Sequence, residues 1–303
     1  MNAIEAVGVA KRYRSDWVLA DCSLAIPDGR IVALVGPNGA GKTTLLHCAV
    51  GLTSPTRGTM TILDGLAPGS PEALAAVSFV AQDAPLHRHL SVASMIAVAM
   101  KLNPGFDSGE ARHRLGAQQI PLDRKVRHLS GGQQAQVALT LALARHPRLL
   151  ILDEPLARLD PLARHELMAQ VMESALEESI SVIFSSHVIS ELERVADYLV
   201  VLGRSRVQIA GDIETLCGEH AVLTGPANAL DDLRRKHRVV HAECADRQAH
   251  VLVRLVEANL PLRGWERSAV SLEELVLSYL RAPGATHDSG RIRIAASSAG
   301  GVS

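Results

Sequence analysis

The sequence lacks a long hydrophobic run, although 47% of its 303 residues are hydrophobic. A helix that spans a bilayer needs about 18 consecutive apolar residues, and the best stretch, residues 91–102, is shorter and contains two serines and a lysine. The N-terminus also lacks the long apolar core of a secretory signal. We therefore expect a soluble, cytoplasmic chain, so that any membrane process it serves needs another chain to cross the membrane.

The sequence also lacks an excess of charge of one sign. Its 31 basic and 32 acidic residues give a formal net charge of -1, and no block of like charge stands out. A surface for nucleic acid is usually strongly basic because it neutralises phosphates. We therefore expect no nucleic-acid partner.

Cysteine is scarce, with four residues in the whole chain. In a cytoplasmic protein of this size, free thiols are the expected state. Cys217 and His220 form one closely spaced pair, and His241 and Cys244 form another. Such pairs could bind zinc, or they could arise by coincidence in a chain with 13 histidines.

A glycine-rich segment follows a continuous apolar run at residues 31–35 and precedes a helical pattern. A strand, a glycine-rich loop and a helix in this order predict a phosphate-binding loop, because backbone N–H groups and the helix dipole face the anion. We expect Lys42 to contact the β- and γ-phosphates of a nucleoside triphosphate and Thr43 to offer its hydroxyl to Mg²⁺. The alternative is a glycine-rich turn without a ligand. The predicted binding residues are Gly36, Pro37, Asn38, Gly39, Ala40, Gly41, Lys42, Thr43 and Thr44.

Two acids, Asp153 and Glu154, follow directly on the apolar run at residues 149–152. Ligands of open α/β sheets bind where the strands end, so a carboxylate here faces the expected nucleotide site. We expect Asp153 to hold Mg²⁺, through water. A solvated acid pair is the alternative.

A second candidate anion site opens the helical pattern at residues 131–145. A helix N-terminus that carries a serine and two glycines can approach an anion closely. Because the chain already has a phosphate loop, this second site points to the nucleotide of a partner chain. The alternative is an ordinary helix cap, in which Ser130 and Gln133 form a capping box, and Ser130 could serve both roles. The segment consists of Leu129, Ser130, Gly131, Gly132 and Gln133.

The three motifs together resemble the ATP-binding subunit of an ABC transporter. The resemblance extends from residue 4 to about residue 211 and implies that two subunits sandwich two ATP molecules. It further implies that Ser130 and Gly132 contact the γ-phosphate bound by the opposite subunit. In the same way, Glu154 is expected to polarise the attacking water.

The resemblance assigns roles to four single residues. Gln82 is expected to reach Mg²⁺ and the attacking water, His187 to contact the γ-phosphate, and Tyr13 to stack on adenine. Asp160 matches the acid of a loop that crosses the dimer interface. The alternatives are a solvated loop glutamine, a core or surface histidine, and an aromatic ring that only packs near an edge strand.

The chain departs from the family pattern at Gln134 and Gln136, where many members carry arginines, and at Arg158, where a small residue is more usual. Arg158 lies in the interface loop, so it bears on the fit between subunits and suggests a non-identical partner.

Strand and helix patterns alternate up to about residue 211, which predicts an α/β fold with a mainly parallel sheet. The expected architecture is a P-loop NTPase with a helical signature subdomain and a small C-terminal α+β accessory domain. We place the ATP-binding domain at residues 1–211 with the helical subdomain at about 83–146, the accessory domain at 212–281 and a disordered tail at 282–303. Residues 271–280 predict an amphipathic helix that Ser271 caps, with Glu274 three residues on.

The resemblance implies two protein partners: a second ATP-binding subunit, identical or not, and an integral membrane permease that docks near residues 83–101. It places the chain on the inner face of the cell membrane. The single ATPase unit followed by a C-terminal helix resembles exporters of drugs, antibiotics or lipids. Alternative functions are an ATP-driven factor on ribosomes or DNA, and a regulatory ATP-binding protein.

Overall fold

The computed structural model describes residues 1–82, 86–157, 159–189, 192–255 and 264–282. In this part of the chain the strands are β1 (Asn2–Tyr13), β2 (Asp16–Pro27), β3 (Ile31–Val35), β4 (Arg57–Ile62), β5 (Val77–Val80), β6 (Leu149–Asp153), β7 (Ser181–Ser186), β8 (Tyr198–Gly203), β9 (Arg206–Asp212), β10 (His220–Pro226), β11 (Arg238–Ala245), β12 (Gln248–Arg254) and β13 (Glu266–Ser268). The helices are α1 (Lys42–Ala49), α2 (Pro71–Ala76), α3 (Val92–Leu102), α4 (Ser108–Ala117), α5 (Gly131–Leu143), α6 (Pro161–Glu178), α7 (Ile213–Glu219), α8 (Leu230–Lys236) and α9 (Leu272–Arg281). The predicted tail lies outside the described residues, apart from residue 282.

The central sheet has the strand order β5-β6-β7-β3-β8-β9. Its first five strands run parallel, and β9 is antiparallel to β8. Every residue of β6 is buried, which explains why the strand reads as an unbroken apolar run that ends in an acid. The mainly parallel α/β sheet predicted from the sequence is confirmed.

The register of this sheet brings three segments to one edge. Val35 of β3 pairs with Ser186 of β7, and Asp153 of β6 pairs with Ser185. Because these strands are parallel, the segments that follow them leave the sheet on the same side. The phosphate loop, the acid pair and the segment that contains His187 therefore meet at this edge.

A second, antiparallel sheet has the order β2-β1-β4. No strand pattern between residues 2 and 27 is described above, so the long hairpin of β1 and β2 emerges only from the structure. The pairing of β1 with β2 contains several register shifts, and each bulge interrupts the alternation of buried and exposed residues that identifies a strand. Leu45 and Leu46 of α1 join a core with residues of both sheets.

The helices α3, α4 and α5 pack on a core of their own. This core contains Val92 and Ile96 from α3, Ala111 and Leu115 from α4, and Val137 from α5. Pro104 and Gly105 lie in the break between α3, which ends at Leu102, and α4, which begins at Ser108. Residues 83–85 of the predicted helical subdomain lie outside the described residues.

The C-terminal region forms an antiparallel sheet of order β11-β12-β10-β13, which confirms the predicted small α+β accessory unit. Leu275, Val276 and Tyr279 of α9 belong to the same buried cluster as Leu150 and Val201 of the central sheet. The accessory unit and the ATP-binding domain therefore share a core. The domain boundary near residue 211 stays a prediction; it falls just before the end of β9.

Ser271 caps α9 as predicted, because its Oγ accepts a hydrogen bond from the backbone N–H of Glu274 at 3.2 Å. The carboxylate of Glu274 lies 2.9 Å from Nε2 of His250 on β12. The side chain therefore ties the helix to the sheet.

His220 joins α7, β10 and α9 in the interior. Its ring is buried, with Nδ1 2.7 Å from the carbonyl oxygen of Leu216 and Nε2 2.9 Å from the hydroxyl of Tyr279. Nδ1 must donate to the carbonyl, so in the neutral ring Nε2 accepts from Tyr279. Burial holds the pKa of His220 below its ordinary value, and folding therefore favours the neutral ring.

We expect the free energy of unfolding to depend on pH through His220. The unfolded ring titrates at about 6.5 and the folded ring at a lower pH, so its contribution is complete above the unfolded value and is lost as pH falls toward the folded pKa. In urea titrations at pH 7.5 and 5.5, His220→Gln should show a smaller pH difference than the wild type. His113→Gln, at an exposed histidine, serves as the control. The same difference in unfolding free energy between pH 7.5 and 5.5 in all three proteins would contradict this role of His220.

Candidate functional site

The phosphate loop joins β3 to α1 and needs its glycines for two reasons. Gly39 and Gly41 have φ angles of 79° and 103°, a region that residues with a side chain rarely adopt. A Cβ on Gly36 would lie 2.1 Å from the carbonyl oxygen of Leu202, and one on Gly41 would lie 2.7 Å from that of Val18. No side chain caps α1, so its first-turn N–H groups can face an anion.

Lys42 is buried in the first turn of α1. Its Nζ donates to the carbonyl oxygen of Gly36 at 2.8 Å and to that of Pro37 at 3.4 Å. The same nitrogen lies 3.1 Å from Oε1 of Glu154. The ammonium group thus bridges the phosphate loop and the end of β6, as expected of a group that binds phosphate next to the acids.

Ser185 at the end of β7 holds both acids, and no sequence motif pointed to it. Its Oγ donates to Oδ1 of Asp153 at 2.5 Å and accepts from the backbone N–H of Glu154 at 2.8 Å. Glu154 has a φ angle of 49°, a conformation that costs about 1 kcal/mol or more for a residue with a side chain. The hydrogen bond from its N–H helps to hold Glu154 there.

His187 contacts Oε2 of Glu154, whereas Lys42 contacts Oε1. Its Nδ1 lies 2.6 Å from Oε2 of Glu154, and its ring is partly exposed. An ionised carboxylate has no proton to donate and can only accept a hydrogen bond. Nδ1 of His187 therefore donates, and Nε2 is left for another group. The structure therefore brings Lys42, Glu154 and His187 together as a line of three charged or polar groups.

Gln82 lies two residues beyond the end of β5. It borders a cavity of about 140 Å³ together with Gly131 and Gln134 from α5 and with Pro155 and Leu159 from the loop after Glu154. No described hydrogen bond joins the amide of Gln82 to Asp153 or Glu154. Gln82 is thus placed between the pentapeptide and the acid loop.

Ser130 forms the capping box that was considered as the alternative role for the start of α5. Its Oγ accepts from the N–H of Gln133 at 3.1 Å, and Oε1 of Gln133 accepts from the N–H of Ser130 at 3.1 Å. This geometry leaves the hydroxyl proton of Ser130 free to be donated. A Cβ on Gly132 would lie 3.0 Å from the Cβ of Ala163 on α6, so α5 and α6 pack closely here.

The two departures from the family pattern on α5 have partners inside the chain. Nε2 of Gln134 donates to the carbonyl oxygen of Leu129 at 3.0 Å. Nε2 of Gln136 donates to Oε2 of Glu166 on α6 at 2.9 Å. Both amides therefore support the start of α5, while Arg158 lies outside the described residues.

Tyr13 and Asp160 occupy the ends of two elements. Tyr13 is the last residue of β1 and is 46% exposed, with Nζ of Lys11 over its ring at 5.1 Å from the centroid. Asp160 caps α6, because Oδ1 accepts from the N–H groups of Leu162 and Ala163 at 3.0 Å each. A dimer contact for Asp160 stays a prediction beside this capping role.

The residues at the sheet edge fit a nucleotide and Mg²⁺. The hydroxyl of Thr43, the carboxylate of Asp153 and the amide oxygen of Gln82 are the hard oxygen ligands that Mg²⁺ prefers. Lys42 and the first-turn N–H groups of α1 suit phosphate oxygens. Of these three residues, Asp153 is the one that hydrogen bonds to Ser185.

The Cys/His pairs do not form a metal site among the described residues. Both nitrogens of His220 are hydrogen bonded inside the protein, and His241 and Cys244 are separated by an odd number of positions on β11, which turns them to opposite faces. The described group of three such residues whose ligand atoms all lie within 4.8 Å of one another is Asp107, Glu110 and His146. These already pair internally, because His146 contacts Glu110 and Asp107 caps α4.

A strand, a glycine loop that leads into a helix without a side-chain cap, and an adjacent acid pair define a P-loop nucleoside triphosphatase. The profile of the family described as "ABC transporter" matches residues 19–157, and an AAA-domain profile matches residues 122–193. Within the described residues, no helix has both the length and the apolar character to cross a bilayer.

Several named proteins are similar to most of the chain. The thiamine import ATP-binding protein ThiQ of Vibrio cholerae is 33% identical over 70% of this chain and 90% of its own length. The sulfate/thiosulfate import ATP-binding protein CysA of Rhodopseudomonas palustris is 36% identical, over 69% of this chain and 62% of its own length. The molybdenum import protein ModC 2 of Bradyrhizobium diazoefficiens is 36% identical over 71% of this chain and 25% of its own length.

Solved structures agree with these matches. A structure titled as the ATP-binding subunit of an ABC transporter superposes with a TM-score of 0.64 at 27% identity, covering 71% of this chain and 91% of that one. CbiO1 of Clostridium perfringens, described as part of the ABC transporter complex CbiONQ, gives 0.61 at 26%, covering 71% and 90%. The chain belongs to the ATP-binding subunits of the ABC transporter family, and it is an ATPase.

The comparisons do not support the exporter type that the C-terminal helix suggested. The relatives named above are import proteins, so they lean toward the opposite direction of transport. Membership of the ABC transporter family does not by itself determine the direction of transport.

Proposed function

We propose that the chain hydrolyses ATP at the edge of its parallel sheet and drives a separate membrane permease. The observation that carries the proposal is the carboxylate of Glu154, held between Nζ of Lys42 at 3.1 Å and Nδ1 of His187 at 2.6 Å. In this arrangement Glu154 is the group that orients the attacking water, and Lys42 binds the β- and γ-phosphates. Nε2 of His187 is left to contact the γ-phosphate.

Thr43, Gln82 and Asp153 are the residues proposed to hold Mg²⁺, which when bound neutralises charge on the phosphates. Ser185 fixes the acid pair through its two hydrogen bonds. The Lys42–Glu154 contact must loosen when a phosphate competes for the ammonium group. Phosphate binding would thus release the Glu154 carboxylate for water.

We propose that a second subunit completes each site. The hydroxyl proton of Ser130 remains free beside the N-terminus of α5, and α5 is a helix of 13 residues whose dipole favours an anion. Because the chain has its own phosphate loop, the nucleotide that Ser130 and Gly132 approach is proposed to be that of the partner. Closure of the dimer then depends on the charge of the γ-phosphate.

A groove between α2, β5 and the end of α3 is the proposed contact for the permease. It encloses about 690 Å³ and is lined by Leu52, Leu74, Phe79 and Leu102, among other residues. Leu52, Leu74 and Leu102 are exposed by 65%, 55% and 74%, which is unusual for neighbouring apolar side chains. The groove adjoins the predicted docking region at residues 83–101, and an amphipathic segment of an ABC permease is the occupant we propose.

Leu102→Glu is expected to abolish co-purification with the permease from detergent-solubilised membranes, because it places a charge in an apolar contact. Leu176→Glu on α6 is the matched control, since Leu176 is 75% exposed and lies outside the groove. Both variants should retain basal ATPase activity. Equal recovery of the permease with both would remove the groove from this role.

The direction of transport is proposed from the relatives, whose names favour import over the export suggested by the C-terminal helix. Cells that produce the chain with its permease should accumulate labelled thiamine, sulfate or molybdate faster than cells with the Glu154→Gln chain. Loss of labelled drug or lipid from preloaded cells, with no such uptake, would restore the export prediction.

A further inference from the structure

The tip of the β1–β2 hairpin projects beyond the rest of its sheet. The pairing of β1 with β4 ends at Ala10 and Arg57, whereas β1 and β2 stay paired up to Tyr13 and Asp16. The loop before β4 still contacts β1 here, since the N–H of Arg12 donates to Oγ1 of Thr56 at 3.1 Å and Nζ of Lys11 donates to the carbonyl oxygen of Ser54 at 2.7 Å. Tyr13, the residue predicted to stack on adenine, is carried by the two-stranded ribbon at the end of this hairpin. Such a ribbon is only marginally stable without further contacts.

Trp17 supplies a contact that crosses all three strands. It pairs with Arg12 on β1, and the guanidinium carbon of Arg12 lies 5.4 Å from its ring centroid. Arg57, which begins β4, reaches over β1 to place its guanidinium carbon 5.3 Å from the same centroid. Among the described residues, neither arginine has a carboxylate within ion-pair distance, so Trp17 is the group that both arginines share.

Trp17 also adjoins the phosphate loop through the next two residues of β2. A Cβ built on Gly41 would lie 2.7 Å from the carbonyl oxygen of Val18 and 2.7 Å from Cδ2 of Leu19. Nothing larger than glycine fits there, so β2 and the phosphate loop are in direct contact. The position of Trp17 thus sets the hairpin tip relative to the loop that is proposed to hold the triphosphate.

From these contacts we infer that Arg12, Trp17 and Arg57 form a positioning stack that holds Tyr13 over the base of the nucleotide. The inference rests on the proposed function, since it assumes that ATP binds on the phosphate loop. Trp17 acts through Tyr13 and does not touch the reacting atoms. The stack therefore affects affinity for the adenine end of ATP and leaves affinity for its phosphates unchanged.

The test compares two ligands by calorimetry at pH 7.5 in the presence of Mg²⁺: ATP and inorganic tripolyphosphate, which has no base. Trp17→Ala should weaken ATP binding by roughly 3- to 10-fold, as expected for the loss of two exposed cation–π contacts, and leave tripolyphosphate binding unchanged. Trp17→Phe should restore much of the ATP affinity because it keeps an aromatic face. KM for ATP should rise while kcat stays the same.

Two control variants show whether the loss of ATP affinity passes through Tyr13. Arg14→Gln removes a positive charge from the same tip without touching the stack, so it should leave ATP affinity nearly unchanged. In a Tyr13→Ala background, Trp17→Ala should cause no further loss, because its effect depends on the tyrosine ring. A full further loss, or an equal loss of tripolyphosphate binding, would overturn the inference, whereas a wild-type chain that binds neither ligand would refute the proposed function itself.

Discussion

Glu154→Gln is expected to lower kcat for ATP hydrolysis by roughly 10²–10⁴-fold, the usual effect of removing a general base, while MgATP still binds. Glutamine has nearly the same shape but cannot accept a proton from water. The substitution also removes the negative charge that Nζ of Lys42 faces at 3.1 Å. Lys42 is then freer to bind phosphate, so affinity for ATP should not fall.

The measurement is steady-state release of phosphate, together with nucleotide affinity by calorimetry. Glu219→Gln is a matched control, because this acid forms an ion pair with Arg254 at 2.9 Å in the accessory unit. It should hydrolyse ATP at the wild-type rate. Undiminished turnover in Glu154→Gln would exclude Glu154 as the base.

A mixture of two inactive variants is expected to recover ATPase activity. Lys42→Ala disables the phosphate loop, and Ser130→Arg places a bulky side chain at the start of α5. In a symmetric dimer each site combines the loop of one subunit with the pentapeptide of the other. In a mixed dimer, one site therefore contains both substitutions, and the other site contains neither.

When equal amounts of the two variants pair at random, half of the dimers are mixed, and each mixed dimer has one intact site out of two. Roughly a quarter of all sites should therefore be active. The control mixes the double variant Lys42→Ala/Ser130→Arg with wild type, so that each site of a mixed dimer carries one defect. Only wild-type dimers then hydrolyse ATP, so activity should fall to about a quarter of that of the same total amount of wild-type protein. If each subunit hydrolysed ATP without a partner, about a half of that activity would remain.

Nucleotide-dependent dimer formation should be followed by light scattering alongside turnover. If the two single variants together neither hydrolyse ATP nor dimerise beyond the sum of their separate values, a site shared between two copies of this chain is wrong.

Much of this fold could be predicted because its signals are local. The continuous apolar runs of β3 and β6 reflect strands that are covered on both faces. The hairpin of β1 and β2 was missed because its bulges break the alternation of buried residues. The capping box at Ser130, which the sequence offered as the alternative to an anion site, is present, since a cap depends on residues three positions apart.

The sequence by itself determined the loop, the acid pair and the pentapeptide, because each of these motifs depends on a short segment and its own backbone. Only the tertiary structure decided that Ser185 holds both acids, that Glu154 lies between Lys42 and His187, and that Arg57 reaches Trp17 across β1. These contacts join residues on different strands, and the register of the sheets sets which side chains meet. Spacing along the chain carries no record of that register, so such partners emerge only when the strands are paired.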